Sequence, residues 1–190
     1  MMVFRRQPSF RRRNQFVAQQ PLRRAALRQL RIAHRLLEEC QWPRAAEQFE
    51  SLATTAEKHA APQAPQLFLL AGHARIEAGN QTVGLKHLRH AIQLFAEVGQ
   101  IHRIDQIRPR IIAELRQRGL NREAAELDAM IHELLDRRTA AGTSQHPSSS
   151  SGHFPTKCPS CGGTLRPDEL EWIDNLSGVC AYCGSMVAAD

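Results

Sequence analysis

Two short cysteine pairs carry the most specific chemistry in the sequence. Cys158-Pro-Ser-Cys161-Gly-Gly is followed by Cys180-Ala-Tyr-Cys183-Gly-Ser, with eighteen residues between Cys161 and Cys180. Cysteines three apart form a tight knuckle whose thiolates converge on one ion, and the glycines behind each pair permit the turn that aims backbone N–H groups at sulfur. Four thiolates close a tetrahedral site and leave no position for water or substrate, so the expected ion is structural rather than catalytic. Zinc (Zn2+) is the expected occupant, and iron, which takes the same S4 geometry, is its chemical rival. Disulfides are the remaining alternative. A fifth, isolated Cys40 argues against them and reads as a small buried hydrophobe of a helix. A thioredoxin-type redox pair needs a βαβ context that is missing here.

The spacing and the two knuckles resemble the zinc-ribbon family over residues 156–188. The resemblance implies that Cys158, Cys161, Cys180 and Cys183 are the zinc ligands on a small β-type scaffold, a domain of residues 157–190. A piece of about 35 residues has too small a core to fold alone, and bound metal supplies the missing stabilisation. Trp172, in the acid-rich stretch between the knuckles, is expected to pack into this small core.

Residues 21–138 must supply most of the fold. Aromatics are only 5% of the chain, so the core is built from Leu, Ile and Ala, which suits packed helices. Apolar residues recur at three and four from Leu22 through Ala26, Leu30, Ala33 and Leu37, with no alternating pattern to compete. Breakers at Trp42-Pro43, 61–65, Gly79-Asn80, Gly99 and 119–121 cut the run into six helices. Pro43 and Pro65 suit a first helical turn, whereas Gly79, Gly99 and Gly119 suit positions just past a helix end. Pro109 falls inside an apolar run, so the fifth helix is expected to kink there or to start late.

The six helices align as three pairs. Ala33, Gly72 and Ile112 share one register, and twelve residues later stand Ala45, Gly84 and Ala124. Phe49, Leu88 and Asp128 follow, then Leu52, Ala91 and Ile131, a period of 39 and then 40 residues. Here the sequence resembles the tetratricopeptide-repeat (TPR) class, whose paired helices carry small residues at such offsets so that they approach closely. The period exceeds the usual length, the signature aromatics are mostly absent, and Asp128 stands where the pattern wants an apolar residue. The expected fold is therefore mainly α: three TPR-like helical hairpins, a flexible linker and a small β-type zinc ribbon.

Charge is unevenly spread. Residues 1–37 hold ten arginines and no acid, while residues 38–190 hold 15 basic and 19 acidic groups. Residues 22–41 and 101–118 are each +3, and first helices of such pairs usually line a concave face. Arg24, Arg28, Arg31, Arg35, Arg110 and Arg116 are thus candidates for a cationic groove that takes an acidic protein surface. Residues 1–20 read as a basic, disordered arm. Its Arg5, Arg6, Arg11, Arg12 and Arg13, interleaved with phenylalanines, are candidates for gripping nucleic acid.

Residues 139–156 are Ser-rich and of low complexity, a linker whose 18 residues would span about 24 Å as a flexible coil and let the two modules move independently. Residues 153–190 are net −3, which argues against phosphate binding and suits an intramolecular lid on the cationic helices. His87 and His90 read as surface histidines. No apolar run approaches a membrane span, and no secretory signal is expected, which gives a cytoplasmic expectation. No nucleotide-binding, hydrolase or metalloprotease motif occurs, so no enzyme and no small-molecule substrate are expected. The expected function is a protein-interaction adaptor, TPR-like module plus structural zinc ribbon; the alternative is a nucleic-acid-associated protein that uses its arginine arm.

Overall fold

The computed structural model describes residues 11–139, 155–166, 170–172 and 177–188. Among them are six helices, α1 (Arg11–Glu38), α2 (Trp42–Lys58), α3 (Ala64–Glu77), α4 (Gln81–Glu97), α5 (Ile101–Gln117) and α6 (Asn121–Thr139). A small antiparallel sheet follows, with strands β1 (Glu171–Trp172), β2 (Ser177–Val179) and β3 (Met186–Ala188) in that order. Much of the expected linker, residues 140–154, lies outside the described residues.

The helix boundaries have local causes. Pro43 and Pro65 sit in the first turns of α2 and α3, where a missing N–H breaks no bond. Asn80 caps α4 by accepting from the Val83 N–H at 3.4 Å. Gly119, at φ +76°, closes α5 through the hydrogen bonds Leu120 N–H to Leu115 O and Gly119 N–H to Arg116 O, both 2.9 Å. The same pair of bonds ends α1, but there the left-handed residue is Cys40, at φ 55°. Cys40 is therefore an exposed turn residue and not the small buried helical residue expected, because the cap points its side chain out of the helix pair.

Two further expectations change. α1 already includes Arg11 instead of starting near Pro21: residues 11–20 contain good helix formers and no glycine, and Pro21 lies within the helix. α5 starts on time at Ile101 and carries Pro109 on its exposed side, where water can satisfy the carbonyl that loses its partner.

Successive helices pack as hairpins, α1 with α2, α3 with α4 and α5 with α6, and α2 with α3 joins the first two. Gly72 and Gly84, twelve residues apart in the aligned registers, bring α3 and α4 close together. A Cβ built on Gly84 would lie 2.7 Å from the Gly72 carbonyl oxygen. Ala33, Ala45 and Ala124, at the equivalent registers, have no solvent exposure. Asp128 departs from the apolar pattern because α6 is the last described helix of the array. Its outer face stays half open, and the carboxylate takes the Arg108 Nε–H at 2.7 Å.

The core falls into two clusters. One, with Ile92, Phe95, Ile104, Leu115 and Leu127, fills the space among α4, α5 and α6. The other joins Leu30, Ala33, Phe49 and Leu67 to Cys158, Cys161, Tyr182 and Val187. The C-terminal module is thus seated against the first helices and shares their core, where the linker length had suggested two bodies moving separately.

Candidate metal centre

Each cysteine pair is held by its own turn. In the first, Gly162 N–H donates to Cys158 O at 2.8 Å and Cys158 N–H to Gly163 O at 2.8 Å; Gly162 has φ +77°, a left-handed value that glycine adopts without strain. In the second, Gly184 N–H donates to Cys180 O and Cys180 N–H to Ser185 O, each at 2.9 Å. An isolated bridge between Lys157 and Thr164 closes the first knuckle, and β2 and β3 flank the second.

These turns bring the four sulfurs together, all within 4.8 Å of one another. Cys158 Sγ lies 3.7 Å from Cys183 Sγ, and Cys161 Sγ 3.8 Å from Cys180 Sγ. A tetrahedron with metal–sulfur bonds of about 2.3 Å has sulfur–sulfur edges of about 3.8 Å, so the thiols fit one ion. Disulfide sulfurs would be about 2 Å apart, and all five cysteines are free. Cys158, Cys161 and Cys180 are buried and Cys183 nearly so.

Crowding four thiols in one pocket divides their acidities. The Cys161 thiol is pushed up by its hydrogen bonds to Cys180 and Cys183 and by burial. Cys180 gains from its bond with Cys161, but donation to Cys183 and burial outweigh that and raise it. Cys183 is pushed down, because Cys161 and Cys180 donate to its sulfur and Ser185 adds both side-chain and backbone bonds. A divalent cation is the charge such a site lacks, since it stabilises all four thiolates at once.

The module is fixed to the helices beside this centre. Arg31 Nε–H donates to Ser160 O at 2.7 Å, and Lys157 Nζ pairs with Glu38 Oε1 at 2.5 Å. The His34 ring meets Tyr182 edge to face at 5.0 Å and Phe49 at 5.4 Å. Burial dominates at His34 and lowers its pKa to about 4, against weaker opposing contributions from Glu38 and Cys183. Sequence reasoning missed His34, Ser160 and Gly163. The tandem glycine after Cys161 was the available signal: Gly162 serves the turn and Gly163 the close approach.

The six groove arginines are not brought together. Arg24, Arg28, Arg31 and Arg35 form one exposed stripe on α1. Arg110 and Arg116 are six residues apart, about 120° around α5, and line different hollows. Arg110 borders a cavity of about 60 Å³ shared by α3, α5 and Tyr182, whereas Arg116 lies beside Asp128. Other charges counted over residues 101–118 are spent within the fold: Arg103 is buried, Arg108 holds Asp128 and Arg118 holds Glu77. Of the arm, Arg11, Arg12 and Arg13 open α1, while Arg5 and Arg6 lie outside the described residues.

A second cluster, His73, Glu77 and Glu114, joins α3 to α5. His73 Nδ1 lies 2.5 Å from Glu114 Oε1, and Arg118 takes Glu77. Burial favours the neutral acid at Glu114, but the His73 bond and charge, with Arg118 and Arg110, hold its carboxyl below the usual range. Arg118 competes with any ion for Glu77, so this cluster is an ion-pair tie between hairpins. His87 and His90 likewise reach Glu50 and Glu57 on α2, at 2.9 and 2.8 Å.

No family model, no curated protein and no solved structure matches the chain. Among the described residues no helix is long and apolar enough to cross a membrane.

Proposed function

We propose that this chain is a non-enzymatic adaptor of the cytoplasm, in which a TPR-like helical module binds an acidic protein partner and a zinc ribbon holds one structural Zn2+ through Cys158, Cys161, Cys180 and Cys183. The sulfur arrangement carries the metal half of this reading. Its spacing suits a four-thiolate ion, and an ion with four protein ligands has no vacancy for substrate. Free thiols in that number also suit a reducing compartment. The close Gly72–Gly84 approach at the aligned registers supports the repeat reading, and the exposed arginine stripe on α1 supports an acidic partner.

Metal content and partner capture test the two halves separately. Elemental analysis of chain purified without chelator should give one zinc per molecule; iron at that stoichiometry would replace zinc in the reading. Capture from nuclease-treated lysate should retain discrete proteins that are lost with Arg28→Glu/Arg35→Glu, a pair chosen because Arg31 is already bonded to Ser160. Capture products that vanish with nuclease, and weaken steeply with salt, would move the function to the arginine arm and nucleic acid.

A further inference from the structure

The contacts that seat the C-terminal module are made by the metal-binding knuckles themselves. Ser160, whose carbonyl takes Arg31, stands between Cys158 and Cys161. Tyr182, which meets His34, stands between Cys180 and Cys183. Lys157 immediately precedes the first knuckle and reaches Glu38. Gly163 lies where both knuckles meet α1: a Cβ there would be 2.6 Å from Tyr182 Cδ2 and 2.9 Å from His34 Nε2. Gly184, just after the second knuckle, abuts the α2–α3 turn, where a Cβ would collide with Gln63 Nε2. Tyr182 also walls the cavity between α3 and α5.

We propose that metal occupancy of the four-cysteine site gates the first-helix face of the helical module: loaded knuckles cover His34, Phe49 and the α3–α5 cavity, and metal loss uncovers them. This deepens the adaptor reading and rests on its metal site. The physical link is that Ser160 and Tyr182 each sit in a two-residue gap whose shape is set by sulfurs converging on one ion, and Lys157, Gly163 and Gly184 flank those gaps. A module this small cannot hold those gaps without the ion. Docking is then a property of the loaded state.

The charges at this interface run opposite to a lid drawn down by its acids. The ion pair is a module lysine on a helix glutamate, and the arginine takes a neutral carbonyl. Shape and aromatic packing therefore dominate the docking, so moderate salt should leave it intact.

The test uses the full chain and side-chain NMR. In the zinc-loaded protein, the Tyr182 ring, 5.0 Å from the His34 ring, should displace the His34 ring signals. Removing zinc with a chelator at fixed pH should abolish that ring-current displacement while the Ile131 methyl, on α6, stays in place. Arg31→Ala, which leaves Tyr182 and the rest of the module intact, should shift the His34 signals part of the way with zinc retained. Unmoved His34 signals on zinc release, or in zinc-bound Arg31→Ala, overturn the gate and leave the metal site standing. A chain that takes up no metal under any condition overturns the metal reading together with the gate.

Discussion

Gly72 on α3 and Gly84 on α4 face each other backbone to backbone, with no side chain of their own between them. Cβ atoms added there would sit 2.9 Å from the Gly84 oxygen and 2.7 Å from the Gly72 oxygen. Alanine is the better helix former by about 1 kcal/mol, so on propensity alone either Gly→Ala change should stabilise. Contact decides the other way. The added methyl at Gly84 also meets Ile76 Cγ1 at 2.5 Å, and backbone oxygens cannot swing aside as a side chain can. Gly72→Ala and Gly84→Ala are each expected to destabilise by about 2 kcal/mol, as overpacked cores do. Urea unfolding reads this directly, and an unchanged or raised midpoint would show that the hairpin can open without penalty.

That pair also marks how much of the fold was legible. Helix pairs and their close-approach positions show in sequence because small residues at a fixed offset have few other reasons to recur. The four sulfurs were legible because a shared ion demands short, fixed spacings. The seating of the module was half legible: its acidity suggested a lid, but the contacts are made by Ser160, Tyr182 and Gly163, whose roles depend on which face of α1 they meet. The groove arginines were misleading as a set, since of the five arginines in residues 101–118 that made this segment look cationic, Arg103, Arg108 and Arg118 are spent inside the fold.

Cys40 and Ala60 hold the left-handed position after α1 and α2, at φ 55° and 50°, where α3, α4 and α5 use glycine. Glycine adopts this conformation without the roughly 1 kcal/mol penalty of a Cβ, and both residues are exposed, so no packing is lost. Cys40→Gly and Ala60→Gly should each raise stability by about 0.5–1 kcal/mol. Gly119→Ala, the converse change at φ +76°, should lower it by a similar amount. Thermal melts of the three variants check the pattern, and a lower melting temperature for Cys40→Gly would contradict it.

Glu50 on α2 is the hub that ties the first hairpin to the second. Arg75 reaches it with Nε and Nη2, each at 2.6 Å, and His87 Nε2 at 2.9 Å. The Arg75 bonds hold its carboxyl below the usual range; burial opposes them, and the His87 bond adds to the lowering. Because the folded value lies below the unfolded one near 4.5, the unfolded chain takes up the proton first on acidification. The stabilisation is therefore complete above the unfolded value and is lost as pH falls through the folded one. Glu50→Gln should cost about 2 kcal/mol at neutral pH, in line with hydrogen bonds to a charged group. The gap between wild type and variant should narrow below about pH 4.5. A gap that stays constant down to pH 3 would mean that the carboxylate contributes through shape and not charge.

Removing the metal should divide the molecule along the line its chemistry draws. The helices owe their formation to Leu, Ile and Ala packing and to their caps, and the second core cluster contains no residue of the C-terminal module. The three short strands and two knuckles bury little beyond Leu165, Leu170, Tyr182, Val187 and the cysteines themselves, so their order depends on the ion. Chelation is expected to leave most of the helical circular dichroism at 222 nm in place. Trypsin should then cut after Lys157, at the edge of the first knuckle, about tenfold faster than in the loaded chain, because cleavage follows the population of the opened state. Readdition of zinc should restore protection. Loss of the helical signal in step with the metal would instead make the cysteine centre part of the core that holds α1 and α2 together.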